Sequence, residues 1–252
     1  MKKLFLLLIS LCAASFCQAQ EELPTVVPDR PGNTYGVDVT PLHKLIWDNG
    51  IGFESSPGGA QTITLNTTIL RYGIFENMEL RVGTDFLMNK NDAAMKPTFG
   101  INPLYFGTKL KVFEGTGILP SFGLLAELKS PHVGSKELLP AHLAPSMYVL
   151  FEHNITNWLG IGYNIGEKWD GKSATPATFL ALSLNFSIND KLGAFVETYN
   201  NLHPEDENEY MTEFGFTWLV SRRVQLDIEG DLDLKNIGKH YSLGCGISWM
   251  IN

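Results

Sequence analysis

The tightest constraint in this chain is the period of its apolar residues, which is two. Met78, Leu80, Val82, Thr84, Phe86 and Met88 fall on one face, and Glu79, Arg81, Gly83 and Asp85 on the other. That period belongs to a strand, because successive side chains leave a strand on opposite sides. The pattern returns over residues 104–112, 122–129, 147–151, 159–165, 180–186, 192–196, 212–220, 224–228 and 241–249. Residues 45–54 alternate loosely. Residues 61–72 change phase, with Ile63 and Leu65 on one face but Leu70 and Tyr72 on the other, so they ask for a bulge near Thr67-Thr68. The expectation is twelve strands, each near the ~9–11 residues that a tilted strand needs to cross a bilayer.

The faces opposite the apolar ones decide where the strands live. They mix charge with glycine, as at Gly160, Gly162, Gly244 and Gly246. A soluble sandwich or lipocalin-like barrel would show fewer glycines and more lysines on its exterior. Connections at 75–77, 114–117, 154–157, 189–191 and 221–223 read as tight, and those at 89–100, 130–142, 167–176, 200–208 and 235–240 as longer. Bacterial outer-membrane barrels have short periplasmic turns and longer outer loops. Aromatics near strand ends (Tyr72, Phe75, Phe122, Trp158, Tyr241, Trp249) suit interfacial girdles. The fold class expected is therefore all-β: an antiparallel up-and-down transmembrane β-barrel over residues 42–252, in outer-membrane lipid.

Residues 1–19 read as a cleaved signal peptide: Lys2 and Lys3, then an apolar run over 4–14, then Cys17-Gln18-Ala19 before the cut. The run is too short to span a bilayer. Removing the two lysines leaves 17 Lys+Arg against 27 Asp+Glu, a net charge of −10. That sign argues against a nucleic-acid partner. Cys245 then stands alone, which leaves no intramolecular disulfide and no thiolate metal site. Residues 20–41, with Pro24, Pro28, Pro31 and Pro41, form a segment that either trails in the periplasm or enters the lumen.

Charges on the non-lipid face define two candidate walls. Arg71, Arg81, Lys109, Lys111 and Lys129 make a basic wall on the second to fifth strands, with Glu79, Asp85 and Glu127 among them. Glu197, Glu213, Asp227, Glu229 and Asp231 make an acidic wall on the ninth to eleventh, with no basic partner on those strands. A lysine or arginine facing lipid at midplane would cost roughly 2–4 kcal/mol, so these charges point inward. Two readings follow: a field across an open pore that favours cations along one wall, or salt bridges that fill a narrow interior. The Asp29-Arg30-Pro31 motif fits a lumen-entering segment, with Arg30 toward the acidic wall and Asp29 toward the lysines of the fourth and fifth strands. Asp227, Glu229, Asp231 and Asp233 share a face at about 6.5–7 Å per residue pair, too far apart to gather round one ion. His43, His132, His142, His153, His203 and His240 fall mostly at strand ends and loops, outside any nucleophile-and-base constellation. No metal, cofactor or catalytic group is implied.

Several stretches resemble the MetA-pathway phenol-degradation family of outer-membrane proteins. They are Asp29-Arg30-Pro31, Leu70-Arg71-Tyr72-Gly73 running into Glu79-Leu80-Arg81, and Gly107-Thr108-Lys109. ELKSPHVG over 127–134 and Gly215-Phe216-Thr217-Trp218 running into Gln225-Leu226-Asp227 complete the set. The chain departs from the pattern in ending Trp249-Met250-Ile251-Asn252, where an aromatic residue is usual, and in Pro131-His132-Val133-Gly134, which lacks the family's threonine. The resemblance implies an outer-membrane channel for small solutes, among them hydrophobic or aromatic compounds. The alternatives are a closed structural or adhesin-type barrel, and an outer-membrane hydrolase.

Overall fold

The computed structural model describes residues 24–90, 97–204 and 206–251; the expected signal peptide lies outside them. The described residues form β1 (Leu45–Ser55), β2 (Gln61–Phe75), β3 (Met78–Lys90), β4 (Thr98–Ile101), β5 (Tyr105–Phe113), β6 (Ser121–Lys129) and β7 (Ala144–Asn154). They continue through β8 (Leu159–Lys168), β9 (Ala177–Ser187), β10 (Leu192–Leu202), β11 (Glu209–Ser221), β12 (Val224–Asp233) and β13 (Tyr241–Ile251). Apart from β4 and β5, neighbours in sequence pair antiparallel, and β1 pairs with β13 from Leu45↔Ile251 to Ser55↔Tyr241, which closes the ring. Closure removes the unpaired edges that a bilayer forbids.

Thirteen strands make a twelve-stave barrel. β4 and β5 both pair with β3, β4 against Phe86–Asn89 and β5 against Met78–Gly83. They are one stave interrupted at Asn102-Pro103-Leu104, where proline has no ladder N–H to give. Thr98–Ile101 thus extends the fourth expected strand into the connection expected at 89–100. The bulge in β2 falls at Leu65-Asn66, earlier than expected: Thr64 pairs with Gly52 and Thr67 with Gly50, so the phase changes between them. The connection after β5 runs over 114–120, longer than the tight turn expected there.

The face of each strand follows the sequence alternation. Outward side chains include Leu80, Phe106, Met147, Ile165, Phe214, Phe216, Ile228 and Leu243, each about half exposed. So much contiguous apolar surface is tolerated only in lipid. Trp47 and Trp249 are register partners near the end that carries both termini, and Trp158 and Trp218 lie at the same end. The barrel belongs in a bacterial outer membrane, and the end with the short turns is the one that such barrels place in the periplasm.

Two apolar clusters sit inside the barrel. Val37 packs with Leu125, Tyr148, Leu150, Phe179 and Ala181 on β6, β7 and β9. Val26 packs with Ile46 and Met250, at the periplasmic ends of β1 and β13. Both clusters take a residue from the chain ahead of β1. Val37 and Val26 are 1% and 5% exposed, and full burial of such a side chain stabilises by about 1.5–3 kcal/mol.

Candidate functional site

Residues 24–44 form a strap that runs round the inside of the barrel. It enters beside the β11–β12 turn, where the Val26 N–H donates to the Arg222 carbonyl at 2.7 Å. It leaves by a parallel bridge from Leu42 to Gly73 and continues into β1. A strap without a sheet partner has backbone N–H groups to satisfy, and the wall supplies the acceptors. The Gly32 N–H donates to Glu229 on β12 at 3.1 Å. Asn33 and Thr34 donate theirs to Glu197 on β10 at 2.6 and 3.2 Å. Tyr35 donates to Asn164 Oδ1 on β8 at 2.7 Å, and Asn164 Nδ2 returns a bond to the Tyr35 carbonyl at 3.0 Å. Val37 donates to Glu152 on β7 at 3.3 Å. The Thr40 N–H and hydroxyl both donate to Glu79 Oε2 on β3, each at 2.7 Å. The contacts move round the barrel from β12 to β3 in order.

Asp29 and Arg30 cross the lumen in opposite directions. Arg30 Nη2 lies 3.0 Å from Asp227 and 3.1 Å from Glu229. Its guanidinium occupies the space left by Gly50 and Gly246, where any Cβ would collide with it. Asp29 accepts from Lys109 Nζ at 2.6 Å and from Arg81, and Arg71 Nη1 stands 3.8 Å away. Arg71 is held in turn by Asp48 at 2.7 Å, Glu79 at 3.2 Å and the Val27 carbonyl. Arg81 also faces Glu127 at 3.4 Å and lies over the Tyr35 ring, 5.7 Å from its centre. Tyr35 packs against Tyr148, ring centres 5.2 Å apart.

The candidate residues therefore divide. Arg71, Arg81 and Lys109 converge on Asp29, and Asp227 and Glu229 on Arg30. Glu197 and Glu213 bind Asn33, the latter through Asn33 Nδ2 at 2.8 Å. The acidic wall has the basic partner its own strands lack, and the partner comes from the strap. Lys111 reaches Asp38 at 2.8 Å and Glu114, nearer solvent. Asp231 accepts from Ser242 at 2.6 Å and stands apart from the strap. Lys129 also stands apart, exposed toward the outer end. Asp48, Glu152, Asn164 and Tyr35 join the site without having been singled out by sequence. Their signal was position: Asp48, Glu152 and Asn164 are polar residues in the inward phase of their strands.

The strap separates two cavities. One of about 330 Å³ lies on the periplasmic side, and one of about 460 Å³ opens outward between β3, β6, β7 and the outer loops; Tyr35 lines both. A third feature lies in the wall itself. An apolar cleft of about 460 Å³ on the lipid side, lined by Ile51, Phe53, Ile63, Leu65, Ile228 and Leu243, backs onto an interior cavity of about 160 Å³ beside Arg30 and Glu229. Ile51, Gly52, Phe53, Thr64, Glu229, Leu243 and Gly244 line both, and at Gly52 and Gly244 no side chain fills the interior face of the wall.

Above this seam, His240 ties the β12–β13 connection to β1. Its Nδ1 lies 3.2 Å from Asp233 and its Nε2 3.2 Å from Glu54. Partial burial opposes charge on the ring, but the bonds to Asp233 and Glu54 outweigh it and raise its pKa above the ordinary 6.5. A raised pKa means that this contribution to stability is full below about pH 6.5 and is lost as pH climbs through the higher folded value. A partly exposed pair of this kind is worth about 0–1 kcal/mol. Thermal melts of the refolded barrel should show a small loss of stability between pH 6 and pH 9, and that loss should be absent in His240→Gln. An equal loss in the variant would assign it to other groups.

A twelve-stave outer-membrane barrel with a buried, ion-paired internal strap is the class these features define. The family described as "Putative MetA-pathway of phenol degradation" matches residues 28–251, and the chain belongs to it. The COG4313 outer membrane channel from Pseudomonas putida F1 is similar over 88% of this chain and 99% of its own, with a TM-score of 0.65 and 14% identity. The KdgM porin in complex with disordered oligogalacturonate matches over 82% of this chain and 99% of its own (TM-score 0.60, 9% identity). The NanC porin matches over 81% and 100% (TM-score 0.54, 13% identity). At these identities the likeness is one of fold. No curated protein matches the sequence.

Proposed function

We propose that this protein is an outer-membrane channel for small apolar or aromatic solutes, which enter from the outer cavity and leave sideways through the thin wall at β1. The observation that carries this reading is the division of labour inside the barrel. The polar walls are taken up by the strap, while the Gly52–Gly244 seam pairs an interior cavity with an apolar cleft facing lipid. The β2 bulge at Leu65-Asn66 breaks the β1–β2 register beside that seam, which loosens the ladder on one side of it. A solute already apolar gains by passing into lipid without crossing the charged lumen. The charged walls then serve as a dock for the strap and not as the lining of an open cation path. The description of the family, with its reference to phenol degradation, supports a ring-bearing solute.

The test is uptake by porin-depleted cells expressing the chain, with radiolabelled toluene and a radiolabelled sugar run side by side. Faster toluene entry with unchanged sugar entry is expected. Faster sugar entry with no effect on toluene would make the protein a hydrophilic pore, and no change in either would favour the closed structural barrel.

A further inference from the structure

The outer cavity carries a feature that the strap and the seam leave unused. Lys129 ends β6 and Lys168 ends β8, both inward, and the two line the outer cavity together with an adjoining one of about 300 Å³ under the 203–208 loop. Between them β7 offers only Ala144, paired with Lys129, and Ser146, paired with Lys168. Two ammonium groups thus flank a small-residue floor. Lys168 Nζ donates to Asn201 at 3.1 Å and lies 5.3 Å from the Phe179 ring centre. Among the described residues Lys129 has no hydrogen bond or ion pair. An ammonium group has three donors, so donors remain on both.

The nearby carboxylates carry other hydrogen-bond or ion-pair partners, while Glu127 and Glu209 also act on the lysines across space. Glu127 faces Arg81 at 3.4 Å, Asp85 accepts from Asn102 at 2.8 Å, and Glu209 accepts from Asn201 at 2.7 Å. Asp170 accepts the N–H groups of Lys172 and Ser173 at 2.8 and 2.9 Å, which closes its own loop. Glu137, Lys172 and Asp206 are exposed on the outer loops. The apolar lining of the outer cavity is aromatic at Tyr105, Tyr148 and Trp169 and aliphatic at Leu138 and Leu139.

We infer that Lys129 and Lys168 form a binding site for a small aromatic carboxylate, its carboxylate bridging the two ammonium groups over Ala144 and Ser146 and its ring against Tyr148 and Trp169. Charge-assisted bonds supply the selectivity for the anion, and the ring faces supply apolar contact. A cavity of this size lies within the ~300–1,000 Å³ range of small-molecule sites. The site goes beyond the channel reading: an ionised carboxylate would not take the lateral route into lipid, and the site is read by binding at equilibrium, so it stands or falls apart from any transport route.

Calorimetric titration of the refolded full chain with benzoate, and separately with benzyl alcohol, tests it. The wild-type chain is expected to bind benzoate roughly tenfold more tightly than the uncharged analogue. In K129Q/K168Q the two should bind alike, and K168R should keep the preference. Lys129 is exposed at a strand end, so K129Q alone folds whatever happens at Lys168 and should lose part of the preference. Equal binding of both compounds by the wild type, binding of neither, or a preference that survives in K129Q/K168Q would overturn the assignment.

Discussion

Replacing Asp29 with alanine is expected to raise single-channel conductance several-fold while the barrel stays folded. Asp29 is the common partner of Lys109, Arg81 and Arg71, whose side chains are 0%, 1% and 0% exposed. Without it Arg71 keeps Asp48 and Glu79, and Arg81 keeps Glu127, but Lys109 retains only the Asp38 carbonyl at 3.2 Å. Removing one partner from a buried ion network typically costs about 3–5 kcal/mol, because charge is left desolvated and unmatched. The strap can relieve that strain by leaving, since water then reaches the cations. The staves cannot, because each is held by ladders on both sides. Deleting residues 21–32 removes Asp29 and Arg30 together and should give the same open state. Asp38→Ala is the control: its pair with Lys111 has side chains 58% and 21% exposed, and its loss should leave conductance nearly unchanged. The measurement is conductance in planar bilayers, with heat-modifiable gel migration to confirm folding. A D29A channel that conducts like the parent would show that the strap does not limit the pore.

The staves were legible because a strand between lipid and a polar lumen is constrained on both faces. Each residue of β3 from Met78 to Phe86 is fixed in phase by cost alone, and the strand lies as its alternation required. Phase changes were legible as events but not as positions: the sequence demanded a bulge in β2, and only pairing with Gly52 and Gly50 places it at Leu65-Asn66. The split of the fourth stave escaped because Thr98–Ile101 is too short to show a period. The strap was legible as a possibility, through opposite charges adjacent in Asp29-Arg30 and opposite walls in the barrel. Its course was not. The acceptors Asn164 and Glu152 gain meaning only when closure brings β8 and β7 alongside a chain more than a hundred residues away. Arg71 and Arg81 were read as wall residues, yet their convergence on one carboxylate depends on barrel curvature, which no local pattern encodes.

Filling the seam from inside should separate the two routes through the molecule, and Gly52→Leu is the substitution that does so. Of the two glycine pairs that β1 and β13 bring together, Gly50 and Gly246 lie against the Arg30 guanidinium, so a side chain there would dislodge the strap and confuse the result. A Cβ at Gly244 would come within 2.6 Å of Glu229 Oε1. At Gly52 the nearest atoms are the Leu243 carbonyl at 3.5 Å and Thr64 at 3.8 Å, ordinary contacts, and the rest of a leucine would project into the interior cavity that backs the seam. Displacing such a side chain at each passage adds about 1–3 kcal/mol, the usual range for overpacking. Transit would then slow roughly 5- to 150-fold. Toluene uptake should therefore fall by that factor in G52L, while single-channel conductance, which follows the lumen and the strap, stays near the parent value. If toluene uptake is unchanged, solutes do not leave at β1. If conductance falls with it, both follow one path through the lumen, and the lateral route is wrong.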